Sequence, residues 1–506
     1  HWQNLLRALV TEPTCALGEL ALLDDPERQV QLRQWNPPLS PLPEESVHQL
    51  FERQALATPD AVALICNELT LSYAQLNSAA NALAHGLIAQ GVGPEVLVGI
   101  AVERSASMII SLLAVLKAGG AYVPLDPDYP QERLGWMIED SGLSVLLTQQ
   151  SLLGRLPSLP GVQVRCVDEL DVRGTSNTPN PPCRTTGNNL AYVMFTSGST
   201  GRPKGVGITQ AALTRHAQVA LEFLGLTPED RSLQFATFNF DAFVEQLYPA
   251  LICGASVVLR GQDIWDSATW YRELLDKQFT TSDLTTTYWN MLAKDFAAAG
   301  ARDYGALRQV IVGGEAMPPE GVAAWGQAGL GRVKLLNTYG PTETTVSATL
   351  LDCSDYVTGQ LTLPKSMPIG RPLGGRAIYL LDNGGQPVPV GVVGELVIAG
   401  DLLARGYFQR PDLTAERFMP DPFGSPGGRL YRTGDLARYR ADGVIEYIGR
   451  VDHQVKIRGL RIELGEIEAR LLELEGVSEA VVVAQDTDNG KRLVAYLVAG
   501  EAGQAL

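Results

Sequence analysis

Ten residues carry the densest chemistry in the chain: Thr196-Ser197-Gly198-Ser199-Thr200-Gly201-Arg202-Pro203-Lys204-Gly205. They follow Leu190-Ala191-Tyr192-Val193-Met194-Phe195, an apolar run that reads as a buried strand. Glycines let the backbone come close to a polyphosphate, hydroxyls and amides donate to it, and a lysine adds a point charge. A Walker loop needs Gly-Lys-Ser/Thr in a row before a helix. Pro203 before the lysine and Gly205 after it break that spacing. A solvent-exposed Ser/Thr/Gly loop is the plain alternative.

Two acids, Asp241 and Glu245, stand four apart in an aromatic segment, Phe235 to Leu247. On a helix that spacing puts them on one face. Acids usually face water, but Phe238, Phe240, Phe243 and Val244 surround these two, so at least one should be buried and paired. Two further turns follow apolar strands: Gly313-Gly314-Glu315-Ala316, and Tyr339-Gly340-Pro341-Thr342-Glu343-Thr344. Ligands in open α/β sheets lie beyond the carboxyl ends of the strands. There the glycine turn can press against a flat base, Tyr339 can stack on it, and Glu343 can hold Mg²⁺ near phosphates.

The elements that must position these groups alternate. A helix from Ser46 leads through Thr58-Pro59-Asp60 into a strand, and Ser72 caps the next helix. Val96–Val102 reads as a buried strand and Met108–Leu116 as a helix, ending in Lys117-Ala118-Gly119-Gly120. Ala211–Leu224 is a further helix, and residues 171–189 are a polar loop. Such alternation implies an α/β sheet with right-handed crossovers. The glycine-rich, alternating stretch from Gly394 to Tyr407 suggests a small barrel, and Arg461–Leu474 a charged amphipathic helix. Before Pro37, Trp2, Leu5, Leu6, Leu9 and Val10 recur at helical spacing, a second helical piece spans Asp25–Trp35, and Pro37–Pro43 is a linker.

At 506 residues the chain exceeds one ordinary core and should form at least two lobes. A net charge of −16 opposes a nucleic-acid or anionic-membrane partner. No run is long and apolar enough for a membrane span, and no leader is evident. Six scattered cysteines read as reduced thiols of a cytoplasmic protein, and five dispersed histidines suggest neither a zinc site nor a triad.

The loop at Thr196–Gly205 resembles the phosphate loop of the adenylate-forming enzymes, which include acyl-CoA synthetases, luciferases and peptide-synthetase adenylation domains. Asn337-Thr338-Tyr339-Gly340-Pro341-Thr342-Glu343, Tyr431-Arg432-Thr433-Gly434-Asp435 and Gly449-Arg450-Val451-Asp452 to Gly459 follow in the same family order, from roughly residue 46 to 470. The chain is thus similar to a nonribosomal peptide synthetase adenylation domain. The resemblance implies an α/β fold: a large N-terminal lobe of two α/β subdomains plus a distorted β-barrel, then a small, truncated α+β C-terminal lobe. It divides the chain into a condensation-domain tail and connector (1–36), the large lobe (37–451) and an incomplete small lobe (452–506) after a hinge at Asp452.

The implied reaction joins an amino acid and ATP into aminoacyl-AMP and pyrophosphate, with Mg²⁺. The product would then pass to the phosphopantetheine thiol of a downstream carrier domain. The upstream condensation domain and a small accessory protein are the other implied partners. By the same resemblance, Thr196, Ser197, Gly198, Ser199, Thr200, Gly201 and Lys204 hold phosphates, Thr342 contacts the α-phosphate and Glu343 the metal. Gly314, Glu315, Ala316, Asn337, Tyr339, Tyr447 and Arg450 line the nucleotide site, Asp435 accepts the ribose hydroxyls, and Lys456 serves the second half-reaction. Asp241 binds the α-ammonium of the amino acid, and Ala242, Glu245, Asp283, Ile311, Gly313, Thr338, Val346 and Ser347 surround its side chain. Glu245 and Asp283 in one pocket favour a basic substrate: arginine, lysine or ornithine. The family's C-terminal lysine lies beyond this chain; Lys491, though in Asn-Gly-Lys, precedes a strand and is not its equivalent. A coenzyme A ligase of the same fold, or a non-catalytic binding module, is the competing expectation.

Overall fold

Two large, mostly parallel sheets dominate the computed structural model, which describes residues 1–11, 13–16, 20, 22–38, 41–173, 177–198, 202–452, 454–487 and 490–500. In one sheet the strands Val62–Cys66, Ser256–Leu259, Arg231–Gln234, Thr281–Thr285, Gln309–Gly313 and Lys334–Tyr339 run parallel in that spatial order. In the other, Leu190–Thr196, Ala121–Pro124, Leu97–Ala101, Val145–Thr148 and Gln163–Cys166 do the same. Parallel strands covered on both faces need near-continuous apolar runs, and Leu97–Ala101, Ala121–Pro124 and Val145–Thr148 are buried throughout.

One apolar core draws on both sheets and on the helices Val47–Ala57, Tyr73–Ala89, Ala106–Lys117, Gln210–Leu224 and Ala242–Cys253. Ser72 caps its helix as expected: its Oγ accepts from Gln75 N at 3.3 Å while Gln75 Oε1 accepts from Ser72 N at 2.9 Å. A second core lies under the strands Gln309–Gly313 and Thr281–Thr285 and holds Trp270, Trp289 and Trp325.

One expectation is corrected here. The glycine-rich region is no closed barrel among the described residues. It is an open antiparallel sheet of Arg376–Leu381, Gly394–Gly400, Arg429–Tyr439, Phe418–Pro420 and Ile445–Arg450. The helical piece expected over Asp25–Trp35 is present, as an α-helix, Asp25–Gln29, that runs into a π-helical turn, Val30–Gln34. The segment after the phosphate loop, which carried no expectation, is a strand, Lys204–Thr209, paired antiparallel with Leu190–Thr196. The described parts of the ten-residue stretch thus end one strand at Thr196 and open the next at Lys204.

The N-terminal strap is docked. Asn36 accepts from Ile378 N (2.7 Å) and donates to Ile378 O (3.2 Å), extending the edge of the antiparallel sheet, while Trp35 packs on Tyr439 at 4.8 Å. The helix Trp2–Thr11, in contrast, has no buried residue. At the other end, Leu464–Leu472 packs on the hairpin Val477–Thr487/Gly490–Ala499, with Lys491 opening the second strand opposite Asp486. No helix of the described residues is long and apolar enough to cross a membrane.

Asn36→Ala removes both links to the sheet edge. It should cost about 1–3 kcal/mol in chemical denaturation and make residues 1–36 the first target of limited proteolysis.

Candidate functional site

The strands Thr281–Thr285, Gln309–Gly313 and Lys334–Tyr339 lie side by side with their carboxyl ends together. Lys204 stands beside Glu343 and Thr342 beside Asp241. Glu343 is fully buried, and three groups hold it: Arg461 Nη1 at 3.0 and 2.9 Å from its two oxygens, Tyr407 Oη at 2.8 Å, and Lys204 Nζ at 3.7 Å. Burial pushes its pKa up, but Arg461 and Lys204 outweigh that and hold it well below the usual carboxylate range. Lys204 also lies over the Tyr407 ring at 4.5 Å, and burial lowers its pKa to about 8 against the pull of Glu343. A lysine partly stripped of water and facing one buried acid suits a polyanion.

The hairpin tip is shaped as the glycines required. A Cβ on Gly198 would stand 2.1 Å from Arg202 O, so only glycine fits there. Thr196 ends its strand with Oγ1 3.5 Å from Lys204 O, and Ser197 Oγ donates to Arg461 O at 2.8 Å. Ser199, Thr200 and Gly201 lie outside the described residues.

Asp241 stands at the start of the helix Ala242–Cys253. Its Oδ2 is a buried acceptor without a hydrogen-bond partner, and burial pushes its pKa up to about 6, with the Thr342 hydroxyl opposing. An unpaired carboxylate oxygen at a cleft invites a cationic donor. Lys456, buried, contributes a charge that Asp241 feels and lies over the Tyr339 ring at 5.8 Å.

On the other side, Asp435 is bonded by Tyr339 Oη (2.5 Å) and by Arg450 Nη1 (2.7 Å), and Arg450 also grips Asp452 at 2.6 and 2.7 Å. The expected hinge residue is thus tied directly to the arginine beside the expected ribose site. Tyr447, half-buried in Ile445–Arg450, has its hydroxyl pKa pushed up to about 12 by burial. Glu315 accepts from Gly459 N at 2.8 Å; Gly314, at φ +93°, faces the Gly459 backbone, and Ala316 is exposed. Asn337 is buried, and its Nδ2 donates to Pro368 O at 2.7 Å, which anchors its strand.

Of the residues expected around the substrate side chain, Asp283 and Ile311 are register partners on adjacent strands. Thr338 presses so close on Gly313 that a Cβ there would stand 2.7 Å from Thr338 Oγ1. Ala242 opens the helix Ala242–Cys253, and Val346 and Ser347 follow the turn Thr342–Thr344. Glu245, Asp283 and Ile311 line a small cavity of about 10 Å³, room for one water. Burial and the neighbouring Glu245 hold the Asp283 carboxyl well above its usual range. Glu245 is buried, as expected of at least one of the two acids, and has close neighbours: His216 Nε2 3.0 Å from Oε2 and Ser347 Oγ 3.3 Å from Oε1.

Sequence reasoning missed Arg461, Tyr407, His216 and Arg376. Arg461 lies two residues past a glycine in a basic stretch, a signal that could have singled it out. The other three carry no local pattern, because each reaches the site from a distant element. A cation at Glu343 has a suitable donor set: one carboxylate beside phosphates is how Mg²⁺ is commonly held. Among the described residues no group of three or more His, Cys, Asp or Glu could hold a metal without such help.

The sequence model of the AMP-binding enzymes matches residues 51–408. A linear gramicidin synthase polypeptide of Brevibacillus parabrevis is 46% identical over 504 residues, which is 99% of this chain and 10% of that protein. The dimodular nonribosomal peptide synthase of Bacillus subtilis (strain 168) is 40% identical over 510 residues, 99% of this chain and 21% of its own length. The chain thus spans about a fifth or less of these relatives. Among solved structures, NpsA-ThdA, an artificially fused adenylation–PCP di-domain from Klebsiella oxytoca, matches with a TM-score of 0.79 at 28% identity, covering 90% of this chain and 89% of that one. Holo-PA1221, which contains adenylation and PCP domains, matches at 0.80 and 28%, covering 91% and 78%.

Arg461→Met strands a fully buried carboxylate with only Lys204 and Tyr407 near it. Chemical denaturation should register a loss on the order of 3 kcal/mol, most of it recovered when Glu343→Gln is added.

Proposed function

The chain belongs to the family of AMP-binding enzymes, in its branch of nonribosomal peptide synthetase adenylation domains, and from that premise we propose that it activates a basic amino acid with ATP. The observation that carries the substrate reading is Asp241 Oδ2, a buried carboxylate oxygen at the cleft with no partner of its own. An α-ammonium supplies what it lacks.

The carboxylate of the amino acid attacks the α-phosphorus of ATP, and the bond to pyrophosphate breaks as the new phosphorus–oxygen bond forms. The protein's part is positioning and charge neutralisation. Lys204 and the hairpin tip take the β- and γ-phosphates, Thr342 the α-phosphate, and Asp435 the ribose hydroxyls, with Tyr339 and Arg450 holding that carboxylate in place. Glu343 would hold Mg²⁺, which supplies positive charge beside the phosphates. Arg461 fills that role toward Glu343 in the free chain, so the small lobe must yield this contact when nucleotide enters. Lys456, on the strand Val455–Ile457, and the hinge at Asp452 belong to the second half-reaction. In it the phosphopantetheine thiol of a carrier domain attacks the acyl carbon and AMP leaves. An upstream condensation domain, a small accessory protein and a cytoplasmic setting complete the proposal.

Side-chain selection rests on Asp283, with Glu245 behind it. Both were expected to meet the substrate, but the contact with His216 leaves Asp283 the less satisfied acid. A guanidinium or ammonium offers it charge and donors.

In pyrophosphate exchange with a panel of amino acids, arginine, lysine or ornithine should lead. Asp283→Asn should lower kcat/KM for the leading substrate roughly a hundredfold or more, while nucleotide binding by calorimetry stays intact. A variant that still prefers a basic over a neutral amino acid would overturn the substrate class.

Asp241 gives a pH test. Because its folded pKa is raised from 3.8 to about 6, its protonation favours the free fold below the ordinary value, and that contribution is lost as pH rises through about 6. Ammonium binding needs the ionised form. Amino-acid affinity should therefore climb as pH rises through about 6, and Asp241→Asn should bind weakly with a flat profile.

A further inference from the structure

Behind the turn that bears Thr342 and Glu343 lies a set of buried polar groups that the proposed reaction leaves without a role. Arg376, fully buried, meets carbonyls rather than a carboxylate: Nη2 donates to Thr345 O at 2.6 Å and Thr344 O at 3.2 Å. The same Nη2 lies 3.1 Å from His216 Nδ1. A guanidinium can only donate, so Nδ1 must accept, and the imidazole proton sits on Nε2. Burial, the largest influence on His216, keeps the ring neutral. Its Nε2 then faces Glu245 Oε2 at 3.0 Å, and Glu245 Oε1 accepts from Ser347 Oγ.

The circuit returns to its start, because Ser347 lies two residues beyond Thr345. The backbone it encloses is unusual. Thr345 and Val346 have φ of +60° and +64°, a left-handed conformation that β-branched residues rarely adopt and that persists only where the surroundings enforce it. Thr345 Oγ1 is further pinned to Leu402 O at 2.6 Å. One link is incomplete. His216 Nε2 and Glu245 Oε2 are close but out of line for a hydrogen bond, and both atoms lack any other partner. That link borders the small cavity shared by Glu245 and Asp283.

We propose that His216 is a positioning residue: as the Nε2–H tautomer it closes a ring through Arg376, Thr345, Ser347 and Glu245 that couples occupancy of the side-chain pocket to the placement of Glu343. The inference rests on the function proposed above and adds a route between its two half-sites. A substrate side chain that draws Glu245 into line completes the ring and stiffens the turn that receives the metal-bound nucleotide. By linkage, magnesium-nucleotide must then tighten amino-acid binding by the same factor.

Two measurements on the 506-residue chain test this. Imidazole ¹⁵N NMR, with His216 assigned by comparison with His216→Phe, should show Nδ1 unprotonated and Nε2 protonated; a protonated Nδ1 overturns the ring. Calorimetry with L-arginine, L-lysine and L-ornithine, with and without magnesium and α,β-methylene-ATP, should show about tenfold tighter binding of the favoured amino acid when nucleotide is present. That gain should vanish in His216→Phe and survive in His216→Gln, whose amide can both donate to Glu245 and accept from Arg376. Should His216→Phe fail to fold, Arg376→Lys, which keeps the charge but loses the fork, should abolish the gain alone. Undiminished coupling in Arg376→Lys, or none in the unsubstituted chain, overturns the proposal. A chain that binds nucleotide and shows the expected tautomer but takes none of the three amino acids overturns the substrate class and the coupling, and leaves the ring geometry standing, so the two failures are separable.

Discussion

The carboxylate of Glu343 is the point on which the structure closes. It has no exposed surface, yet it stays ionised because Arg461 from the small lobe, Lys204 from the hairpin and Tyr407 from the strand Gly406–Tyr407 converge on it. A buried charge without such partners would be very costly. Glu343 thus ties together the segment after Asp452, the hairpin and the strand Gly406–Tyr407. Arg133–Glu466 (3.1 Å) and the Arg470 guanidinium over Trp136 (4.1 Å) add support at the rim, where solvent weakens them.

The same acid is also the expected metal ligand, which sets up a competition. Arg461 and a divalent ion ask for the same oxygens. Under the proposed function, this contact stands in for the metal and would link nucleotide entry to lobe movement. The Arg450–Asp452 pair adjoins Asp435, so the same proposal puts the pivot beside the sugar.

Much of this was legible in residue order. The apolar strand before Thr196, the helix capped by Ser72, and the turns at Gly313 and Tyr339 all follow from local pattern, and the two turns stand at the carboxyl ends of parallel strands. Expectation failed where the answer lay in long-range pairing. Lys204–Thr209 mixes glycines with Val206 and Ile208, so its alternation is faint and only its partner strand makes it a strand. The sheet around Gly394–Gly400 has alternation that fits an open or a closed sheet equally, and closure depends on edges that no local pattern specifies. Glu245 was rightly placed in the interior, but its neighbour His216 comes from a helix that begins 35 residues earlier and carries no spacing signal. The bond of Asn337 to Pro368 is likewise invisible in a motif.

Gly314 and Gly459 meet with almost nothing between them: a Cβ built on Gly314 would stand 3.7 Å from the Gly459 Cα, and one on Gly459 would press to 2.8 Å on Thr285 Cγ2. The seam between the lobes is thus naked main chain at its centre, with φ of +93° and +78° on its two sides. The side chain that ties it here is Glu315, which accepts from Gly459 N at 2.8 Å. If one body turns past the other, as proposed, few rotamers need unlatching at this point, and resistance falls to that bond and to the ionic clasp at the margin.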